Sequence, residues 1–218
     1  MIWSWSYALE VLPKILDAFA VTLRATLAGF ALAVVLGLVL AVARMAPLPW
    51  LSRGTFWLVE LVRSTPLLIQ LYFLYYVLPE YGLTLPPLVI GILALGLHYA
   101  CYTAEVYRAG IEAVPRGQWE AARALNLPRS AVWLRIVLPQ AIRPTLPVLG
   151  NYLIAMFKDT PLLAAITVME MLQTAKLIGA QSFRYLEPLT ITGVAFLIVS
   201  LLASSLFRYL ETRHAARR

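Results

Sequence analysis

Two short stretches place charge where an apolar chain should not carry it. "ELVRSTP" puts Glu60 and Arg63 three residues apart, with Ser64, Thr65 and Pro66 directly after them. "FKDTP" puts Asp159 just before Thr160-Pro161. Charges inside an apolar span are costly and usually functional. Pro66 frees a backbone carbonyl and kinks its helix, and broken helices near mid-membrane often form transporter sites. Two readings of Arg63 stay open: a structural pair with Glu60, or a fork that receives a substrate carboxylate. Pro161 biases Thr160 away from helix, so a helix should stop near Asp159. Asp159 then caps the next short helix or faces a ligand. His98 lies among Tyr99 and Tyr102 and reads either as a helix-to-helix hydrogen bonder or as a pocket contact. Glu105 and Arg108, also three apart, read as a structural pair. No metal constellation is expected, because His98 and His214 are too far apart in sequence and depth. The chain offers no paired nucleophile and base, so an intramembrane enzyme is the poorest fit. The single Cys101 excludes an internal disulfide framework.

The elements that must hold these residues are membrane helices. Mean hydropathy is +0.77, 61% of residues are hydrophobic and only 13% are charged. At 218 residues the chain has room for about five or six spans and no second soluble domain. Five spans are expected, at about 15–42, 55–78, 85–107, 135–157 and 186–209, with short helices between the last two. The start lacks a basic n-region, so it reads as a retained interfacial segment. Trp3, Trp5 and Tyr7 suit the headgroup zone. The first span carries small residues, and its Ala33–Gly37 face could pack closely on another helix.

Basic residues set the orientation. Arg44 and Arg53 lie in the first loop. Arg108, Arg116, Arg123, Arg129 and Arg135 follow the third span, with Arg143 just beyond. Arg208, Arg213, Arg217 and Arg218 close the chain, while the other side has only Lys14, Lys158, Lys176 and Arg184. The positive-inside rule predicts an external N-terminus and a cytoplasmic C-terminus, which an odd number of spans satisfies. The formal net charge of +7 is therefore a topology signal and not a nucleic-acid footprint.

The most charged loop contains "PRGQWEAARALNLP". Pro115 can start a helix there and Pro128 must end it, so a helix is expected over about 116–127. Trp119, Ala122 and Leu125 share a face at three-residue spacing, with Glu120 and Arg123 beside it as a weak i, i+3 pair. Asn126 falls where a left-handed terminus is needed. A helix this short needs something to pack on. That something is either the protein's own bundle or a partner.

"EAARALN", nine residues, then "IVLP" resembles the EAA signature of ABC-importer permeases. Glu120, Ala121, Ala122, Ile136, Leu138 and Pro139 match it, and Asn126 stands at its glycine position. "ELVRSTPLLIQLYFLYYVLP", "YTAEVYRAGIEAVPRGQWEAARALNL", "VLPQAIRPTLPVLGNYLIAMFKDTPLL" and "ITVMEML" resemble the polar amino-acid subfamily, over roughly residues 15–210. The resemblance implies a type I ABC importer fold: all-α, five transmembrane helices, and a cytoplasmic coupling helix between spans three and four. It implies a bacterial inner-membrane location and a helix, with Trp119, Glu120, Ala121, Ala122, Arg123, Leu125 and Asn126, that docks in a socket on an ATPase.

The implied partners are two copies of a P-loop ATPase, a second permease copy or related sister, an extracytoplasmic solute-binding protein, membrane lipid and a small zwitterionic substrate. ATP and magnesium belong to the ATPase, because this chain has no GxxxxGK[ST] run and is expected to be non-catalytic. In the family, residues matching Asp159 meet a cationic nitrogen inside the membrane. Arg63 and Asp159 would then hold the two ends of a zwitterion, with Glu60, Thr65, His98 and Tyr152 around them.

Tyr152 and Asp159 are two helical turns apart and share a face. In arginine- and histidine-importing relatives the Tyr152 position tends to be acidic, so an aromatic ring there argues against a dibasic cargo. A neutral polar amino acid and an ectoine-like zwitterion stay open ahead of charged amino acids. "FRYLEPLT" resembles the ectoine-type permeases. The competing function is a membrane scaffold or sensor that recruits a different partner through the same helix.

Overall fold

The computed structural model describes residues 2–215, and every described element is helical. Arg217 and Arg218, two of the C-terminal cations, lie outside the described residues. Helix α1 runs Trp5–Arg44, about 60 Å of continuous helix at ~1.5 Å per residue. The stretch expected to be a separate interfacial segment is its first turns. The Ser4 side chain accepts from the Tyr7 N–H and caps the start, and Pro13 is carried inside the helix. Glu10, Lys14 and Asp17 interrupt the apolar pattern there, but polarity limits membrane burial and not helix formation.

The expected span at 55–78 is divided between two helices at its "ELVRSTP" interruption. Helix α2 (Pro49–Arg63) ends at Ser64-Thr65-Pro66, and α3 (Leu67–Tyr72) continues as a π turn and a 3-10 turn to Tyr81, bent from α2 by 101°. Helix α4 (Pro87–Glu112) leads to α5 (Arg116–Ala124) and the one-turn α6 (Arg129–Ala131). A π turn, Val132–Val137, feeds α7 (Leu138–Asp159). A 3-10 stretch, Thr160–Ile166, and α8 (Met171–Ser182) come next, and α9 (Leu186–Ala215) ends the described chain. By length and composition three helices could cross a membrane, or five if each of two bent pairs counts as one.

Contacts fix the directions. Gly29 of α1 faces Leu95 of α4, and Gly37 faces Thr103, so α1 and α4 run parallel. The segment between them must therefore return, which α2 and α3 do in two arms. Gly110 of α4 meets Ala141 and Thr145 of α7, and Gly91 meets Leu163 beyond its end, so α7 runs opposite to α4. Gly150 against Phe207 and Phe157 against Phe196 set α9 opposite to α7.

The α1–α4 seam is close because Gly37 has no side chain. A Cβ there would sit 1.9 Å from Thr103 Oγ1. Thr103 Oγ1 donates across the seam to the Ala33 carbonyl at 2.9 Å. The Ala33–Gly37 face is thus packed closely on α4, inside the chain.

The two ends differ in chemistry. At one end Arg44 pairs with Glu105, and Arg108 pairs with Glu105 at 2.9 Å and with Glu112 at 2.6 Å. At the other, Glu187 accepts from the Ser4 N–H and pairs with Arg184, while the Tyr7 hydroxyl donates to Ser182 at 2.6 Å. These clasps tie α1 to α4 at one end and to the α8–α9 turn at the other.

Candidate functional site

Three tyrosines meet between α4 and α7. The Tyr152 ring lies 6.0 Å from Tyr99 and 5.9 Å from Tyr102, both edge-on, and Tyr99 and Tyr102 are 6.2 Å apart. Centroids 4.5–7 Å apart in such arrangements are favourable aromatic pairs. Each end of the trio carries a charge. The Arg63 guanidinium sits 5.2 Å over the Tyr102 ring and 3.2 Å from Glu60 Oε1. Asp159 Oδ2 accepts from the Tyr99 hydroxyl at 2.7 Å.

The expected pair with Glu60 is present, and it leaves the Arg63 guanidinium face on the cage formed by the three tyrosines. Arg63 Nε is buried with no partner among the described residues. Asp159 does stand at the start of the 3-10 stretch, but its side chain makes no cap bond and turns to Tyr99 instead.

His98 packs at 5.1 Å from Tyr102 and 5.6 Å from Tyr99, and its Nδ1 lies 3.1 Å from Gln70 Oε1. It is thus a helix-to-helix hydrogen bonder that packs against two rings of the cage. The Thr65 hydroxyl donates back to the Leu61 and Val62 carbonyls, closing the broken end of α2. Sequence reasoning passed over Tyr99 and Gln70. Tyr99 was visible as an aromatic one turn before Tyr102. Gln70 was visible as a lone amide four residues after a helix-breaking proline.

Helix α5 has a shaped, exposed surface. Asn126 adopts φ +48°, the left-handed conformation that ends a helix. The Leu127 N–H returns to the Ala122 carbonyl at 3.1 Å and the Asn126 N–H to the Arg123 carbonyl at 2.9 Å, which is the Schellman pattern. Ala122 is buried against Ile111, Val114, Val132 and Val137, and Trp119 stacks edge-on with Trp133 at 5.4 Å.

Two expectations fail here. Leu125 is not packed with Ala122 but is 72% exposed, because the helix ends before its face returns to the bundle. Glu120 and Arg123 form no ion pair among the described residues; Arg123 Nε reaches the Trp119 carbonyl instead. Glu120, Ala121 and Arg123 are left exposed. Trp119, Glu120, Arg123 and Trp133 border a concavity of about 690 Å³.

Residues 33–215 match the family described as the binding-protein-dependent transport system inner membrane component. The chain belongs to that family. This permease is 47% identical over 206 residues to the probable amino-acid ABC transporter permease protein y4tG of Sinorhizobium fredii, covering 94% of this chain and 89% of that one. It is 34% identical over 204 residues to the L-cystine transport system permease protein TcyB of Bacillus subtilis, covering 90% and 86%. A crystal structure of an amino acid ABC transporter with histidines matches with TM-score 0.92 at 31% identity, covering 98% of this chain and 100% of that one. An inward-facing structure of the MetNI methionine ABC transporter, at 20% identity and TM-score 0.69, covers 91% and 93% and shows the shared fold. The protein is an inner-membrane permease component of an ABC transporter.

Proposed function

We propose that this permease imports a polar amino acid or a related small zwitterion, delivered by a solute-binding protein. The observation that carries this reading is the placement of Arg63 and Asp159 at opposite ends of the tyrosine trio. A zwitterion presents a carboxylate to the first and an ammonium to the second. The tyrosine faces add cation–π attraction of ~0.5–2 kcal/mol for the cationic end. One carboxylate at Asp159 suits one positive centre, so neutral polar amino acids rank first, ectoine-like zwitterions second and dibasic amino acids last. Relatives named for amino acids and for L-cystine support the class.

The alternating directions of α1, the α2–α3 pair, α4, α7 and α9 support five spans. The end bearing Arg44, Arg108 and α5 faces the cytoplasm, and the N-terminus lies outside. Exposed Glu120, Ala121, Arg123 and Leu125 on the rigid α5 dock on a P-loop ATPase, which holds ATP and magnesium and performs hydrolysis. Two ATPase copies imply two permeases, either a second copy or a related sister.

The test is reconstitution of the full transporter in proteoliposomes with its binding protein, measuring ATP-dependent uptake across a panel of amino acids and ectoine. Uptake of a neutral zwitterion with lysine and arginine rejected supports the assignment. Preference for a dibasic or acidic amino acid, or no uptake from the panel, rejects it.

A further inference from the structure

The broken span raises a problem that the lipid cannot solve. In a continuous helix the N–H of residue 66 would bond to the Val62 carbonyl, and the N–H of residue 69 to that of Thr65. Pro66 has no N–H, and the Ile69 N–H turns to the Pro66 carbonyl at 3.0 Å. Both acceptors lose their helical donors. In a bilayer core, unsatisfied backbone groups cost several kcal/mol each, and water is not at hand to meet them.

Thr65 meets part of the need at Val62, its N–H at 3.4 Å and its hydroxyl at 3.1 Å from that carbonyl, but one side chain reaches both acceptors. Gln70 Nε2 donates to the Val62 carbonyl at 2.7 Å and to the Thr65 carbonyl at 3.1 Å, and lies 2.7 Å from Thr65 Oγ1. Those contacts fix the orientation of the amide, since a flipped Gln70 would point its oxygen at two carbonyl oxygens. Oε1 is then the atom that faces His98 Nδ1 at 3.1 Å. An amide oxygen can only accept, so Nδ1 carries the hydrogen and the lone pair of a neutral His98 is on Nε2. His98 in turn stacks on Tyr99 and Tyr102, the two cage rings nearest Asp159 and Arg63.

We propose that Gln70 is a positioning residue of the cargo site: its amide N–H groups replace the backbone donors lost at Pro66, and its oxygen holds His98 as an Nδ1–H donor against the cage. One side chain thereby links the bend that aims Arg63 to the ring that walls the cage. A purely local cap would need only the first half of this arrangement. The bond to α4 ties the break to cargo recognition, and that link rests on the cage being the cargo site.

The experiment uses the whole transporter in nanodiscs. His98 is observed by 15N NMR as the signal lost in His98→Asn. The bend is tracked by electron-spin distance measurement between labels at Trp57→Cys and Phe73→Cys, exposed positions on the two arms, in a Cys101→Ser background. The wild type should show a protonated Nδ1 and a narrow distance distribution. Gln70→Leu should lose both. Gln70→Glu, which keeps an acceptor but no donor, should broaden the distances while His98 stays protonated on Nδ1.

In proteoliposomes with the binding protein, Gln70→Leu should raise the half-saturating concentration of radiolabelled L-glutamine about tenfold, with the maximal rate within about twofold. An unchanged His98 signal in Gln70→Leu, or equal loss of both signatures in Gln70→Glu, overturns the proposal. A fall in maximal rate with unchanged half-saturation overturns its link to cargo. A wild type that takes up neither an amino acid nor ectoine rejects the proposed cargo, while the spectra still decide the role of Gln70.

Discussion

Tyr99 donates its phenolic hydrogen to Asp159 Oδ2 at 2.7 Å, so the carboxylate at one end of the cage is tied to α4. A carboxylate has about four lone-pair sites, so this bond leaves room for an ammonium. Tyr99→Phe should therefore weaken cargo binding, raising half-saturation about fivefold, or ~1 kcal/mol. Asp159→Asn should be more severe, with uptake reduced at least about twentyfold, since a charge-assisted bond of ~1.5–3 kcal/mol is lost. Half-saturation and maximal rate in proteoliposomes measure both. Equal mild effects in the two variants would mean that Asp159 does not meet the cargo.

Tyr152 touches both other rings of the cage without a charge of its own. Tyr152→Glu adds a second anion near Asp159 and removes a cation–π face. Arginine should become an accepted cargo, and uptake of the native zwitterion should fall about tenfold. Competition assays with unlabelled amino acids read the change. An unaltered profile would place selection upstream, in the binding protein.

Much of this was legible in the residues. Pro66 announced the first break and Pro161 the end of α7, although the second bend, of 46°, comes only after Ile166. What periodicity could not carry was angle. A run from Thr55 to Leu78 reads as one apolar span at any bend, so the 101° turn at Ser64–Pro66 was hidden. Partner choice was equally hidden. The Ala33–Gly37 face says that something packs closely, but only the fold shows that Thr103 is that something. Gln70 went unread because its importance depends on which acceptors Pro66 strands and on His98, 28 residues further along the chain. Leu125 shows the opposite limit: its spacing matches Ala122, yet Asn126 ends the helix first and leaves it exposed.

The α1–α4 seam gives a stability prediction. Gly37→Val puts a side chain where a Cβ alone would approach the Ala100 carbonyl to 2.9 Å and Thr103 Oγ1 more closely still. Overpacking of ~1–3 kcal/mol is expected. Thr103→Ala only removes one inter-helix hydrogen bond of about 0.6 kcal/mol. Thermal unfolding in detergent should therefore drop far more for Gly37→Val than for Thr103→Ala. Comparable shifts would show that the seam is loose enough to absorb the methyl groups.

The last prediction separates the shape of α5 from its charge. Asn126 holds φ +48° and closes the Schellman end, a conformation that glycine adopts freely and a β-branched residue resists by roughly 1–2 kcal/mol or more. Asn126→Gly should leave uptake within about twofold. Asn126→Val should fray the end of α5 and cut uptake about tenfold. Glu120 is exposed and has no ion-pair partner among the described residues, so its reversal should spare the fold. If α5 docks on the ATPase as proposed, Glu120→Lys should insert and assemble in the membrane at wild-type levels, yet lose at least about tenfold in uptake relative to ATP hydrolysed. Membrane fractionation, ATPase assays and uptake on the same proteoliposomes distinguish the outcomes. Normal uptake by Glu120→Lys would remove the docking role from this helix. Loss of insertion would assign Glu120 to the fold.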